Sequence, residues 1–485
     1  MSAMISIDFG NSYTKVAVRP TANKAAKLMT DKSLTLDEWN VCIPTLAACM
    51  EQRGTERWFF GNEVMQQSSG TSRLRVFRNW KPRFFKGVET HLARRVRAPM
   101  ESAHSSGVFS MLTEEQWSGI KTHLNLPESA RAAIEMVMRK DEGTAPSGSG
   151  EETDIDAKQI GLGFFRWLAD FVGPFCEKQG LGRISELPVR ISLPSFGAAT
   201  KAEMLLREIL EESGWMPAER APALPEPLAN SIGAFSEGRN SVHRPTGRAD
   251  MPHYGRMFEN TGLLRAMRDA TLHGGPKTAW AMIADLGGYT ADFAMVCLDL
   301  EDIDAPVEGT MDGKPRTATY SEPIGVTTLD RRVRRLLDHT KAAAMDELQQ
   351  DPDQRRLETF HRTVYGGKTR VYRLRQAVIG EGGEHERIQS CVHEFGVEVA
   401  DYAEKFLEIH QYDRIDDLIL TGGGSMIPAV RDELNKRLKR YSVRKTHMYL
   451  EPGTKAPSNF HALEPLLVRG ATALGGASVY FDFAQ

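Results

Sequence analysis

Short apolar runs recur along the chain between glycine, proline and polar clusters, and two of them are broken by the same kind of turn. Met4-Ile5-Ser6-Ile7 runs into Asp8-Phe9-Gly10-Asn11-Ser12-Tyr13-Thr14-Lys15 and resumes as Val16-Ala17-Val18. Trp280-Ala281-Met282-Ile283-Ala284 runs into Asp285-Leu286-Gly287-Gly288-Tyr289-Thr290-Ala291-Asp292 and resumes as Phe293-Ala294-Met295-Val296. Each predicts a strand, a tight glycine turn and a second strand. A third apolar run, Leu418-Ile419-Leu420, ends in Thr421-Gly422-Gly423-Gly424-Ser425. Short strands are predicted over 41–46 and 57–61, and another over 187–194, where it stops at a proline. Ile160, Phe164, Trp167, Leu168 and Phe171 fall at helical spacing. Residues 199–213 read as an amphipathic helix closed by Gly214. Two further helices begin at Glu226-Pro227-Leu228-Ala229-Asn230-Ser231-Ile232-Gly233 and Glu464-Pro465-Leu466-Leu467-Val468-Arg469-Gly470-Ala471. The polar, Gly/Ser-rich stretch 139–156 predicts a flexible loop, and 236–279, rich in Gly, Arg, His and Pro, predicts a surface insertion. The two hairpins are the one internal repeat.

Composition narrows the class. A chain of 485 residues points to two or more domains, and 41% hydrophobic with 26% charged residues is ordinary for a soluble globular protein. The net charge of −3 implies no global attraction to nucleic acid or an anionic membrane. Five scattered cysteines without a CxxC pair suit a reducing cytosol better than a disulfide framework. No run is long and apolar enough to span a bilayer, and the N-terminus enters a strand at once, so a cytoplasmic protein without membrane contact is expected.

The hairpins carry the chemistry. A turn glycine lets backbone N–H groups approach phosphate oxygens, and an aspartate at a strand end can hold a hydrated Mg²⁺. Two such turns facing each other would clamp a nucleotide's phosphates. With these segments in this order, the chain resembles the actin/sugar-kinase/heat-shock-70 superfamily of ATPases. The resemblance rests on the two phosphate hairpins, on the adenosine-type segment 418–428, and on the helices beginning at Glu226 and Glu464. The segments 187–233 and 464–471 look most like the nucleotide-binding domain of heat-shock-70 chaperones. It implies an α/β, two-lobed actin-like ATPase fold: duplicated ribonuclease-H-like domains, each with a five-stranded mixed sheet. One lobe would cover 1–279, with insertions near 90–156 and 236–279, and be closed by 460–485; the other would cover 280–459. No C-terminal peptide-binding domain is expected.

Site residues follow from the resemblance. It implies Asp8 and Asp285 near Mg²⁺, mainly through water, and Gly10, Asn11, Ser12, Tyr13, Gly287 and Gly288 around the phosphates. Thr290 would offer a hydroxyl to the γ-phosphate, and Glu226 a carboxylate at the hinge that contacts Mg-bound water or the attacking water. Lys15 stands where actin and plasmid-segregation filaments carry a phosphate-binding lysine, and Lys81 is the candidate catalytic lysine, offset by one residue from the chaperone pattern. Gly422, Gly423, Gly424 and Glu464 would border the adenosine. Glu358, His361, Arg362 and Tyr365, at i, i+3, i+4 and i+7, would form a helical face in which Glu358 and Arg362 grip ribose and adenine. Met426 replaces an arginine common near the adenine of chaperones. The implied function is a slow Mg-ATP-driven switch acting on a protein partner. The alternatives are an actin-like filament or segregation protein and a small-molecule kinase. The stretch 73–97 carries nine Lys/Arg and one Glu among aromatic residues, which could contact nucleic acid or an acidic protein, or serve as a solvated lobe surface. Gly366-Gly367-Lys368-Thr369 lacks the opening glycine of a P-loop, and His385, Cys391 and His393 lack a fourth metal ligand.

Overall fold

The computed structural model describes residues 3–21, 24, 26–29, 41–52, 55–68, 74–86, 157–197, 200–235, 278–299, 309–351, 354–374, 377–450, 460–463 and 465–478. The expected loop 139–156, the expected insertions (apart from 278–279) and Glu464 lie outside these residues. Within them the protein is mixed α/β, with two large mixed sheets and ten α-helices.

The first sheet grows from the first hairpin. Strands β1 (Met4–Phe9) and β2 (Tyr13–Arg19) pair antiparallel, Met4 opposite Arg19 and Phe9 opposite Thr14. β3 (Lys27–Leu28) and β4 (Ile43–Pro44) add to β2. β5 (Ala47–Gln52), β6 (Thr55–Phe60) and β7 (Arg75–Phe77) form a separate three-stranded antiparallel sheet, with α1 (Asn62–Ser68) between the last two. The long helix α2 (Ala157–Lys178) leads to β8 (Pro188–Leu193), parallel to β1. After α3 (Lys201–Glu212), β9 (Met216–Pro217) and β10 (Ala223–Pro225) both run parallel to β8. α4 (Glu226–Phe235) follows β10 without a loop.

The second sheet grows from the second hairpin, β11 (Thr278–Leu286) with β12 (Ala291–Asp299). A small hairpin, β13 (Thr310–Met311) and β14 (Lys314–Pro315), precedes β15 (Thr317–Glu322), which pairs with β12. Three helices follow: α5 (Val326–Leu336), α6 (His339–Gln350) and α7 (Gln354–Phe360). The hairpin β16 (Tyr372–Leu374) and β17 (Ala377–Ile379) then leads to α8 (Glu384–Ile409). β18 (Asp417–Thr421) enters parallel to β11; α9 (Pro428–Leu438), β19 (Lys445–Tyr449), β20 (Phe460–Leu463) and α10 (Pro465–Gly476) complete the order β15-β12-β11-β18-β19-β20.

Among the described residues the sheets have seven and six strands rather than five each. In the first sheet three of the seven, β3, β4 and β9, are two-residue strands too short to leave an alternating pattern, and in the second the sixth is the four-residue strand β20. β20 lies at the edge of the second sheet. Residues 460–463 pair along β19 in the second sheet, although the sequence places them with the first lobe. The central strands β1, β11 and β18 are buried on both faces, which is why they read as near-continuous apolar runs. Helix α3 starts where Thr200 accepts from the Ala202 N–H and ends before Gly214 at φ +85°. On α2 the buried stripe is Ile160, Phe164, Phe165, Leu168, Val172 and Cys176, while Trp167 and Phe171 stack on each other at its margin.

Helices α4 and α10 cross in backbone contact between the sheets. A Cβ on Gly233 would lie 1.7 Å from the Ala471 carbonyl oxygen, and one on Gly475 1.7 Å from that of Ala229. Only glycine fits at either point. No helix among the described residues is long and apolar enough to cross a membrane.

Candidate functional site

The first turn is braced from below by aromatic rings. Phe9, at the end of β1, packs against Trp80 at 5.2 Å, Phe165 at 5.3 Å and Phe84 at 6.0 Å. The Trp80 indole N–H donates to the Thr45 carbonyl, and the Thr45 N–H donates to the Ser12 carbonyl. This cluster fixes the short 3-10 turn that begins at Lys81, where Pro82 presets the first helical dihedral. At the tip, the Asn11 amide donates to the Asn79 side-chain oxygen at 2.8 Å.

Lys81 is buried and donates to Glu226, which is buried as the first residue of α4. Two residues 145 positions apart, both expected at the reaction centre, thus form one ion pair. Lys15 donates to Asp8 at 2.8 Å. Burial, the largest single influence, would lower the Lys15 pKa, but Asp8, with Cys42 and Asp285 adding to it, offsets this and holds the ammonium above its ordinary range.

The second turn meets the first. A Cβ on Gly288 would lie 3.1 Å from Ser12 Oγ and 3.6 Å from the Asn11 amide nitrogen. The turn is anchored from behind by α5, whose Val326 and Thr327 N–H groups donate to the Gly287 and Gly288 carbonyls. Those bonds satisfy two of the unpaired N–H groups at the helix start. Asp285 and Asp292 stand at the two sides of this hairpin, directly opposite in register. Burial, then Asp292 and Asp8, push the Asp285 carboxyl up to about 7. Burial pushes Asp292 up to about 6, against the hydrogen bonds it receives from Ser321 and Thr290. Glu226 is raised too, by burial above all, against the pull of Lys81 and with Asp292 and Asp8 adding to it. Four carboxylates and two lysines therefore share one region, with negative charge in excess. Such a region favours a cation.

The glycine triplet lies beside it. Gly422 has φ +74°, and a Cβ there would fall 2.2 Å from Asp285 Oδ1. Gly424 packs on Leu286 and Val326, whereas nothing lies within 4 Å of a Cβ on Gly423.

Some expected contacts take a different form. The Gly10 N–H donates to the Asp8 carbonyl and the Gly287 N–H to the Thr290 carbonyl, so both close their own turns. The Thr290 hydroxyl donates to Asp292 at 2.6 Å. Tyr13 is buried beneath the Arg469 guanidinium, which lies 5.8 Å from its ring centre, and its hydroxyl makes no hydrogen bond among the described residues. The helical face 358–365 does not persist. α7 ends at Phe360 and the chain widens into a π-turn over His361–Tyr365. There His361 and Tyr365 both bond to Asp330, at 2.8 and 2.6 Å, while Glu358 pairs with Arg469 at 2.6 Å. The basic stretch loses Lys81 to Glu226, and 87–97 lies outside the described residues.

Three residues of the site were not singled out from the sequence. Asp292 closes the second hairpin and is tied by Ser321, which accepts from the Ser195 N–H that follows β8. Asn230 is a polar residue at a buried helical position, 2% exposed, within the Glu-Pro segment itself. Arg469, part-buried one turn into α10, carries a weaker form of the same signal. Among the described residues no three His, Cys, Asp or Glu side chains converge tightly enough to hold a metal directly. No protein-family model matches the chain, and no curated protein is significantly similar to it.

Proposed function

We propose that the chain is a heat-shock-70-like ATPase core: two actin-like α/β lobes that bind Mg-ATP between them and hydrolyse it slowly, as a switch acting on a partner protein. The observation that carries this reading is the meeting of the two Asp-Gly hairpins, Gly288 against Ser12 and Asn11, over a shared set of acidic and basic side chains. Such a pair of turns suits a polyphosphate; a sheet surface or a peptide groove would need neither.

The donor set fits Mg²⁺. All four acids offer hard oxygen ligands, and their spread suits an ion that keeps most of its water. Asp8 and Asp285 would hold it from opposite turns, and when bound it would neutralise phosphate charge. Asn11, Ser12 and Gly288 at the turn tips would cradle the phosphates. Lys15 would turn from Asp8 to phosphate oxygen. Glu226, raised and paired with Lys81, can hold or release a proton near neutral pH, which is the requirement for positioning an attacking water. Gly423 leaves open the space a nucleoside would fill. Because ATP would touch both turns, it would favour the closed arrangement by its differential affinity, and loss of the γ-phosphate would relax it.

Calorimetric titration with ATP and Mg²⁺, together with phosphate release, tests the proposal. Asp8→Ala and Asp285→Ala are each expected to lose Mg²⁺-dependent ATP binding and turnover. Affinity and turnover unchanged in both would overturn the assignment. The Lys15–Asp8 pair supports a second reading, an actin-like ATP-dependent filament, in which phosphate release would rise steeply above a threshold protein concentration.

A further inference from the structure

The side-chain amide of Asn230 joins three elements that the nucleotide reading leaves separate. Its Nδ2 donates to Asp285 Oδ2 at 2.8 Å, at the end of β11, and to the Thr472 hydroxyl at 3.0 Å, in α10. Its Oδ1 accepts from the Thr421 hydroxyl at 3.1 Å, at the end of β18 and one residue before the glycine triplet. Both amide protons and one acceptor lone pair are thereby used, in a position 2% exposed. When Asp285 is ionised it only accepts, and the NH₂ end is the one that can face it.

The location gives this junction mechanical meaning. Asn230 lies on α4 between Ala229 and Gly233, the two residues whose backbones touch α10 at Gly475 and Ala471. Helices in backbone contact have no side-chain cushion, so a small displacement of one must move the other. Asp285 is part-buried, and Asn230 grips its carboxylate from α4. The aliphatic or small residues that would satisfy packing between two crossing helices could not make these bonds. A buried amide with three partners holds one geometry, and loss of any partner leaves an unsatisfied group.

We propose that Asn230 is a positioning residue that ties the Asp285 carboxylate to the α4–α10 crossing, so that ligand binding at Asp285 is transmitted through its amide to this crossing, which acts as a hinge. The proposal rests on the nucleotide reading for the identity of the ligand. The link itself does not depend on that reading.

The test uses the full chain and three variants. Thr472→Val keeps the shape and removes only the hinge-side acceptor; Asn230→Ala removes all three bonds; Asp285→Ala removes the carboxylate. Amide hydrogen exchange of residues 465–476 is followed without ligand and with Mg-ATP or Mg-ADP, beside ATP affinity by calorimetry. In the wild type, Mg-ATP is expected to slow exchange in this segment. Thr472→Val should bind ATP within about threefold of the wild type yet lose most of that slowing. Asn230→Ala should lose it too and bind about tenfold more weakly, since a charge-assisted hydrogen bond is removed from Asp285. Full slowing retained in Thr472→Val would overturn transmission through the amide, because a merely structural threonine would leave it intact. Ligand-free melting of the single and double variants decides the link separately. Asn230→Ala should lower Tm markedly less in the Asp285→Ala background than alone, and strictly additive losses would overturn it. A wild type that binds no ATP would overturn the nucleotide reading and the transmission with it, while the melting cycle would still decide the link.

Discussion

At the scale of single residues, the site is a concentration of carboxylates that the fold holds at a cost. Asp285 is raised to about 7 by burial first and then by Asp292 and Asp8, against about 3.9 in an unfolded chain. In that interval the folded chain keeps a proton that the unfolded chain releases. The stability contributed by Asp285 is therefore complete below about pH 4 and is lost as pH rises to about 7. Asp292, raised to about 6, acts with the same sign over a narrower window. The ligand-free chain should melt at a lower temperature at pH 8 than at pH 5, and Mg-ATP should recover more of Tm at the higher pH. Asp285→Asn removes the ionisation while keeping the shape. It is expected to raise the ligand-free Tm at pH 8 by a few degrees, to change little at pH 5, and to lose Mg²⁺-dependent nucleotide binding. A differential scanning calorimetry series over pH reads all three. A second residue prediction concerns Lys81. Lys81→Met strands Glu226 in a buried, acid-rich setting, so it should destabilise the chain by about 3 kcal/mol above pH 8, and by less at pH 5 where Glu226 takes up a proton. Equal destabilisation at both pH values in chemical denaturation would contradict the buried pair.

At the scale of elements, the glycine triplet separates fold from function within neighbouring residues. Gly422, at φ +74° with Asp285 Oδ1 only 2.2 Å from a Cβ, should not tolerate substitution: Gly422→Ala is expected to cost more than about 1 kcal/mol. Gly423 faces open space, so Gly423→Ala should leave Tm within a degree or so yet weaken nucleotide binding by crowding the space a nucleoside would occupy. Thermal melts and ATP titration of the pair decide this, and equal effects of both substitutions on stability would contradict it. The same contrast explains what could be read from the chain. The hairpins, β8, α2, α3, and the helix starting at Glu226 were legible because burial on one or both faces imposes a pattern on consecutive residues. Two-residue strands such as β3 and β9 impose none. The helical face through Glu358 and Tyr365 was misjudged because Asp330, 35 positions away from Tyr365, draws Tyr365 and His361 onto itself, and the chain widens into a π-turn to allow it. Asn230 and Arg469 lay inside segments already singled out. Their partners come from other elements, and no local spacing encodes those contacts.

At the scale of the whole molecule, the account rests on two hairpins from distant parts of the chain meeting over one charged region, with α4 and α10 in backbone contact between the sheets that carry them. The proposed switch would use that arrangement directly: a ligand touching both turns would shift the relative position of the sheets, and the helix crossing would report it. The measurement that tests this most directly is Mg²⁺-dependent ATP binding and phosphate release by the purified chain, at protein concentrations spanning two decades. The account predicts tight ATP binding and slow release whose rate per molecule does not change with concentration. Absence of ATP binding in the presence of Mg²⁺ would contradict it, and release rising steeply above a threshold concentration would replace the switch with a filament.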